Sequence, residues 1–361
     1  MPDLSSRRRI AGWLFACAAL VWLILVVGGV TRLTRSGLSI VEWEPLAGVV
    51  PPLGAEAWQA EFARYRTSPE YRLVNAGMSL AAFKGIFWWE YAHRMLGRLV
   101  GAVFALPLLV FWMRREVDAR LARRLAGIFL LGGAQGAMGW FMVRSGLVDL
   151  PAVSQYRLAA HLALAFAIEA LLLWTALGLA GARAGTPVDP GLARLRRDGA
   201  LMAGAVFVMA VSGAFVAGIH AGKAYNTFPL MAGQFVPDGI LALDPWYSNF
   251  FANVTAVQFD HRLGAWLLAF LVPWFVRRVR AAPDVPPRAR TAALVVLAAL
   301  ALQVSLGIAT LLLAVPVALG AAHQGGAMLL FATLVWLNHE LRAEGGLQMK
   351  MATRGVAIGT A

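Results

Sequence analysis

Four histidines stand at matching places in the two halves of this 361-residue chain. His93-Arg94 and His261-Arg262 are each followed 42 residues later by a glutamine, Gln135 and Gln303. His161 and His323 lie near the starts of later apolar runs. Upstream, Val27-Gly28-Gly29 pairs with Val211-Ser212-Gly213, and 16 residues after Gly29 and Gly213 come Pro45-Leu46 and Pro229-Leu230. Self-similarity of this kind indicates two copies of one unit. A lone histidine near a helix end is ordinarily a hydrogen-bonded structural residue, and that reading suits His220 and His339, which stand outside the pairs. Ionisable groups at matched depth within apolar runs are expensive and mark function, so the four paired histidines are the candidate ligands.

Two imidazoles facing each other in an apolar bundle, with no carboxylate or thiolate to complete a tetrahedral set, suit zinc poorly. They suit the two axial positions of haem iron, whose flat apolar macrocycle a helical bundle can enclose. Met95, Met138 and Met142 are alternative axial ligands, although methionine in an apolar run is usually packing. Haem propionates need cations, and Arg94, Arg98 and Arg262 are candidates; the alternative is that these side chains snorkel to lipid headgroups. The two copies differ chemically. Glu90 precedes His93 by three residues and shares its helical face, whereas Gln258 holds that place before His261. Asp260 adjoins His261, but a one-residue step turns it about 100° away. A carboxylate facing a ligand can serve as acid, base or anchor, while an amide only hydrogen-bonds. Glu90 is therefore the catalytic candidate: one haem site does chemistry and the other holds haem or passes electrons. An i,i+4 ion pair with Arg94 is the structural alternative for Glu90.

The elements that position these residues follow from composition. The chain is 60% hydrophobic and 14% charged, against about 25% charged in a soluble domain. Too little polar surface remains to cover a water-soluble globule, and few segments are polar enough to stay disordered. Long unbroken apolar runs predict membrane-spanning helices, near residues 10–30, 92–112, 125–143, 156–180, 200–219, 259–276, 292–314 and 318–337. The last two are nearly continuous, with a kink expected at Pro316. Twenty of the 32 Lys and Arg residues fall in the termini and in the segments after spans 2, 4 and 6. The positive-inside rule then puts both termini in the cytoplasm. The net charge of +13 is thus a topology signal and not a nucleic-acid footprint. The run after Arg7-Arg8-Arg9 is long enough to span and lacks a cleavage site, so it is read as a retained first span. The one cysteine, Cys17, lies within it, which leaves no disulfide framework.

On the far side, residues 31–88, with Trp43, Pro45, Pro51-Pro52 and a surface helix around 55–66, predict a structured cap, and residues 220–256 a shorter outer segment. Four spans per copy is an even number, so both copies insert the same way up. The expected architecture is an all-α polytopic protein of eight spans in two pseudo-symmetric four-helix bundles. Residues 1–180 form the first, with its cap, and 181–361 the second. The four histidines should lie within about 10 Å of the outer surface.

Several strings resemble the haem A synthases, membrane enzymes of cytochrome oxidase assembly in bacteria and mitochondria. They are G-G-V-T-R-L-T-R-S-G-L-S-I at 28–40, E-Y-A-H-R at 90–94, A-Y-N-T-F-P-L-M at 224–231, D-H-R at 260–262 and A-A-H-Q around His323. The resemblance runs over roughly residues 10–340 and implies a reaction: oxidation of a haem O methyl group to a formyl group by successive hydroxylations, giving haem A. It implies His93 and His161 as ligands of the substrate haem, Glu90 as important for activity, and His261 and His323 as axial ligands of a haem b cofactor. It also implies a bacterial inner membrane, haem sites toward the periplasm, and haem O synthase and oxidase assembly factors as partners, with a homo-oligomer allowed. One branch of the family carries a cysteine pair in its outer loops; this chain fits the branch without it. A two-haem b-type electron-transfer cytochrome is the alternative reading, and a transporter built from parallel repeats a third.

Overall fold

The structure, a computed structural model, describes residues 3–42, 47–147, 153–181 and 190–342. Trp43 and Pro45-Leu46, two features of the expected cap and repeat, lie outside the described residues. Eight long helices carry the fold: α1 Leu4–Leu33, α4 Leu80–Met113, α5 Ala119–Gly146, α6 Gln155–Ala180, α7 Pro190–Gly218, α9 Val254–Ala281, α10 Pro287–Leu312 and α11 Val317–Glu340. The short helices α2 Gly54–Arg66, α3 Pro69–Leu73 and α8 Asn249–Ala252 lie in the two outer segments. Backbone polar groups in hydrocarbon must be satisfied internally, which explains why these apolar runs are helical. Their starts are written locally. Asp3, Ser79, Asp118 and Asn253 each accept a first-turn backbone N–H through the side chain, and Pro287 opens α10, where no N–H is needed.

Seven of the long helices are long and apolar enough to cross a membrane, and the chain is a multi-pass membrane protein. The eighth, α9, falls short by composition, because Asp260 and Arg262 precede, and Arg277-Arg278 follow, the apolar stretch 263–276. Large apolar side chains still point outward from it, as from its neighbours: Phe270 on α9 is 72% exposed, Leu130 on α5 72% and Leu106 on α4 63%. Only hydrocarbon or another apolar surface accommodates such a belt.

The contacts divide evenly. α1, α4, α5 and α6 touch in a ring, and α7, α9, α10 and α11 touch in a second ring in the same order. The rings meet through α1 against α11, α6 against α7 and α6 against α11. Exchanging the first four helices with the second four leaves this list unchanged. At the seam, Trp22 Nε1 donates to the Gly325 carbonyl at 3.0 Å and Gln324 Nε2 to the Leu25 carbonyl at 2.8 Å. Arg32 donates to the carbonyl of Ala217, where α7 ends.

Two elements differ from expectation. α10 and α11 are divided by a full reversal and not by a kink at Pro316. Ala314 and Val315 take left-handed backbone (φ 55° and 64°) before Pro316 caps α11. The pair Gly307–His323 and, one turn along, Gln303–Gly326 meet across the antiparallel hairpin this makes. α4 also begins at Leu80, well before the expected span, so His93 lies 13 residues inside the helix (93 − 80). The extra turns belong to the cap. Phe83 and Phe87 pack there with Trp58 and Tyr65 of α2 in a separate apolar cluster. Trp58 lies edge-on to Phe87 at 4.9 Å, and Lys84 sits 4.9 Å over its ring. Trp58→Ala is expected to cost about 3–5 kcal/mol and to free the cap while the membrane helices persist. Limited proteolysis should then cut selectively near residues 54–80; an unchanged digestion pattern would contradict this.

Candidate haem sites

Inside each ring the two histidines are electrostatic neighbours: His93 with His161, and His261 with His323. Each one packs against a glycine of the adjacent helix. An added Cβ at Gly28 would come within 2.9 Å of His93, at Gly139 within 3.3 Å of His161, at Gly213 within 3.2 Å of His261 and at Gly307 within 2.8 Å of His323. These are close approaches, at which an added side chain would require the imidazole to shift. The glutamines found by spacing are in place too. Gln135 Nε2 lies 3.3 Å from His161 Nε2 and donates to the His161 carbonyl at 3.1 Å, and Gln303 stands one turn from Gly307 on α10.

The donor set fits haem iron. The buried Nδ1 atoms of His161 and His323 have no hydrogen-bond partner, and among the described residues nothing hydrogen-bonds to the ring of His93 or to Nε2 of His261. Every ring thus keeps a nitrogen for a ligand, and leaving such groups unmatched in an apolar interior costs about 1–3 kcal/mol each. Among the described residues, no three His, Cys, Asp or Glu side chains converge, so the donors come as imidazole pairs.

Glu90 is 2% exposed, and its carboxylate is filled with donors. Oε2 accepts from Ser39 N (2.7 Å), Ser39 Oγ (2.7 Å) and Ile40 N (2.9 Å), and Oε1 from Arg94 Nη2 (2.7 Å) and Nε (3.1 Å). It therefore ties the 36–40 loop to α4 one turn N-terminal to His93. Gln258 does the converse job. Its Nε2 donates to the carbonyls of Ala221 (2.9 Å) and Tyr225 (3.3 Å). The Glu/Gln difference between the copies thus has a backbone cause: the first loop offers N–H groups and the second offers carbonyls.

The arginines clamp the same loops in both copies. Arg94 donates to the carbonyls of Ile40 (2.8 Å) and Glu42 (3.3 Å), and Arg262 to those of Tyr225 (2.7 Å) and Thr227 (2.8 Å). The buried Nε of Arg262 has no partner, so one donor remains for an anion. Arg98 turns toward Met95, with Nη1 at 3.7 Å from Sδ.

Two residues were not found by sequence reasoning. Ser212 places Oγ 3.2 Å from His261 Nδ1; the repeat alignment marked the position but not the contact. Glu169 is 4% exposed in the middle of α6, with Oε2 unpartnered; a lone carboxylate in an apolar span was the available signal. His220 is exposed with left-handed backbone (φ 57°). Desolvation first, then Arg32, Arg35 and Lys223, hold its imidazole below the usual histidine value.

A polytopic helical membrane protein with an imidazole pair inside each of two helix rings is the class that fold and site define. Residues 11–335 match the family model described as cytochrome oxidase assembly protein. The chain is 56% identical to a heme A synthase of Nitrosospira multiformis over 94% of this chain and 95% of that protein. It is 52% identical to one of Nitrosomonas eutropha (92% and 93% covered) and 49% identical to one of Parvibaculum lavamentivorans (93% and 95%). The chain belongs to this family of cytochrome oxidase assembly proteins, the haem A synthase family.

Proposed function

We propose that the protein is a haem A synthase, an oxidoreductase that converts haem O to haem A for cytochrome oxidase assembly. The methyl group of haem O is hydroxylated twice, each time a two-electron oxidation whose oxygen atom and oxidant come from outside the chain, and the resulting geminal diol loses water to leave the formyl group. The observation that carries this reading is the pair of imidazole sets, each in its own ring of helices, in a chain 56% identical to a named heme A synthase.

In this reading the molecule is a parallel repeat of two four-helix bundles with eight spans. The exchange-invariant contact list supports it, as does the lipid-type belt on α9. Both termini lie in the cytoplasm of a bacterial inner membrane and the haem sites face the periplasmic side, as the distribution of arginine argues. His93 and His161 hold the substrate haem O; His261 and His323 hold haem b, which when bound supplies one-electron redox chemistry. Glu90 fixes the loop over His93 and the position of Arg94, and a direct acid–base role would require it to release one of its five donors. Arg94, Arg98 and Arg262 stand where haem carboxylates would reach the outer boundary. The apolar walls suit a substrate with a long hydrocarbon tail. Haem O synthase and oxidase assembly factors are the expected partners.

The test is co-expression with a haem O source followed by mass analysis of extracted pigment. Haem A should appear. Haem O left unchanged while reducing equivalents are supplied would refute the assignment and favour a two-haem electron-transfer cytochrome.

A further inference from the structure

The two copies treat their first histidine differently. In the second ring Ser212 Oγ sits 3.2 Å from His261 Nδ1, and the next residue, Gly213, backs the Cε1 edge of the same ring. With Nδ1 engaged by the hydroxyl, Nε2 is left as the nitrogen for iron. An outer hydrogen bond of this kind fixes the tautomer and the ring plane of a metal-bound histidine.

The repeat places Gly28 where Ser212 stands, since Val27-Gly28-Gly29 matches Val211-Ser212-Gly213. Gly28 has no hydroxyl to offer. It presents bare backbone to Nε2 of His93, where a Cβ would come within 2.9 Å, and among the described residues no hydrogen bond reaches the His93 ring. His93 therefore points a nitrogen at α1 with no hydrogen bond to hold it there, in the space that a side chain at position 28 would otherwise fill. The second histidines differ only at Nε2, where Gln135 reaches His161 at 3.3 Å; the Nδ1 atoms of His161 and His323 are both unbonded. At Nδ1, the difference between the copies falls on the first histidine, at the position that Ser212 and Gly28 occupy.

We propose that this repeat position determines which haem stays and which turns over: Ser212 pins His261 around a resident haem, and Gly28 leaves His93 free to release one. Ser212 is thus a positioning residue for the cofactor and Gly28 a permissive one for substrate entry and product exit. The inference rests on the reading that the first ring exchanges its haem and the second retains it.

The experiment uses the full-length protein in detergent, mixed with excess apomyoglobin as haem acceptor; transferred haem b, haem O and haem A are separated by mass. Ser212→Ala removes the hydroxyl and keeps Cβ. It should release haem b about 10–100-fold faster than the parent, with a shifted low-spin electron paramagnetic resonance signal, while Ser212→Thr keeps the parental rate and signal. Gly28→Ser, whose new side chain meets only the movable ring tip, should slow release of haem O and haem A. Equal haem b release from parent and Ser212→Ala, with His261→Ala devoid of haem b, overturns the anchoring role alone. Full haem b in His261→Ala overturns the assignment of the second ring and the inference with it.

Discussion

Glu90→Gln is expected to leave haem b bound in the second ring and to lower conversion of haem O by roughly 10²-fold or more. The substitution is nearly isosteric, so its effect is one of polarity. The five groups around the carboxylate are all donors, from Ser39, Ile40 and Arg94. An amide can accept from some of them but must turn its own N–H₂ toward the rest. Breaking a buried ion pair by removing one partner costs about 3–5 kcal/mol, and the group that would lose its Glu90 carboxylate is Arg94, next to His93 in the chain. The 36–40 loop would lose its tie to α4 and the first site its outer wall. Haem b content serves as an internal reporter, because Gln258 and Arg262 build the second loop independently. Normal haem b with lost conversion is the expected pattern; parental conversion would show that the carboxylate is dispensable. The reciprocal change, Gln258→Glu, sets a carboxylate against the carbonyls of Ala221 and Tyr225 and should disturb the second site instead.

These polarities explain why part of the site was legible in the sequence and part was not. The histidines could be found because duplication preserves spacing: the 42-residue interval to Gln135 and Gln303 survives in both copies. That Glu90 and Gln258 differ was equally visible. Why they differ was not, because the deciding groups are backbone N–H and C=O in irregular loops, which leave no mark on side-chain type. Pairing Glu90 with Arg94 followed from helical spacing, and the structure adds that the same arginine clamps Ile40 and Glu42. Helix positions were legible from unbroken apolar runs. The exception was the outer end of α4, where Phe83 and Phe87 are as apolar as membrane residues but form the core of the cap. The α10–α11 reversal was hidden for another reason: its left-handed residues are Ala314 and Val315, and a β-branched residue there is an outlier that turn chemistry does not anticipate.

His261→Ala and His323→Ala should each empty the second ring of haem b and abolish conversion, with the protein still present in the membrane. The loss should exceed the roughly 10–100-fold that follows removal of an outer hydrogen-bond partner, since each substitution would remove one of the two histidines proposed to hold haem b. The fold should tolerate the change. His323 sits against Gly307 in a long antiparallel helix pair, and the buried apolar side chains Met328, Leu334 and Leu337 continue along α11 toward its C-terminal end. His93→Ala and His161→Ala should also abolish conversion yet keep haem b, because their ring of helices is closed by α1, α4, α5 and α6 alone. The two pairs of variants thus share an activity and differ in pigment, which activity measurements by themselves would miss. Loss of haem b from the His93 or His161 variants would mean that the rings are not independent sites. Retention of haem b in both the His261 and His323 variants would move the cofactor out of the second ring altogether. The seam hydrogen bonds of Trp22 and Gln324 join α1 directly to α11, and they are one route by which emptying one ring could reach the other.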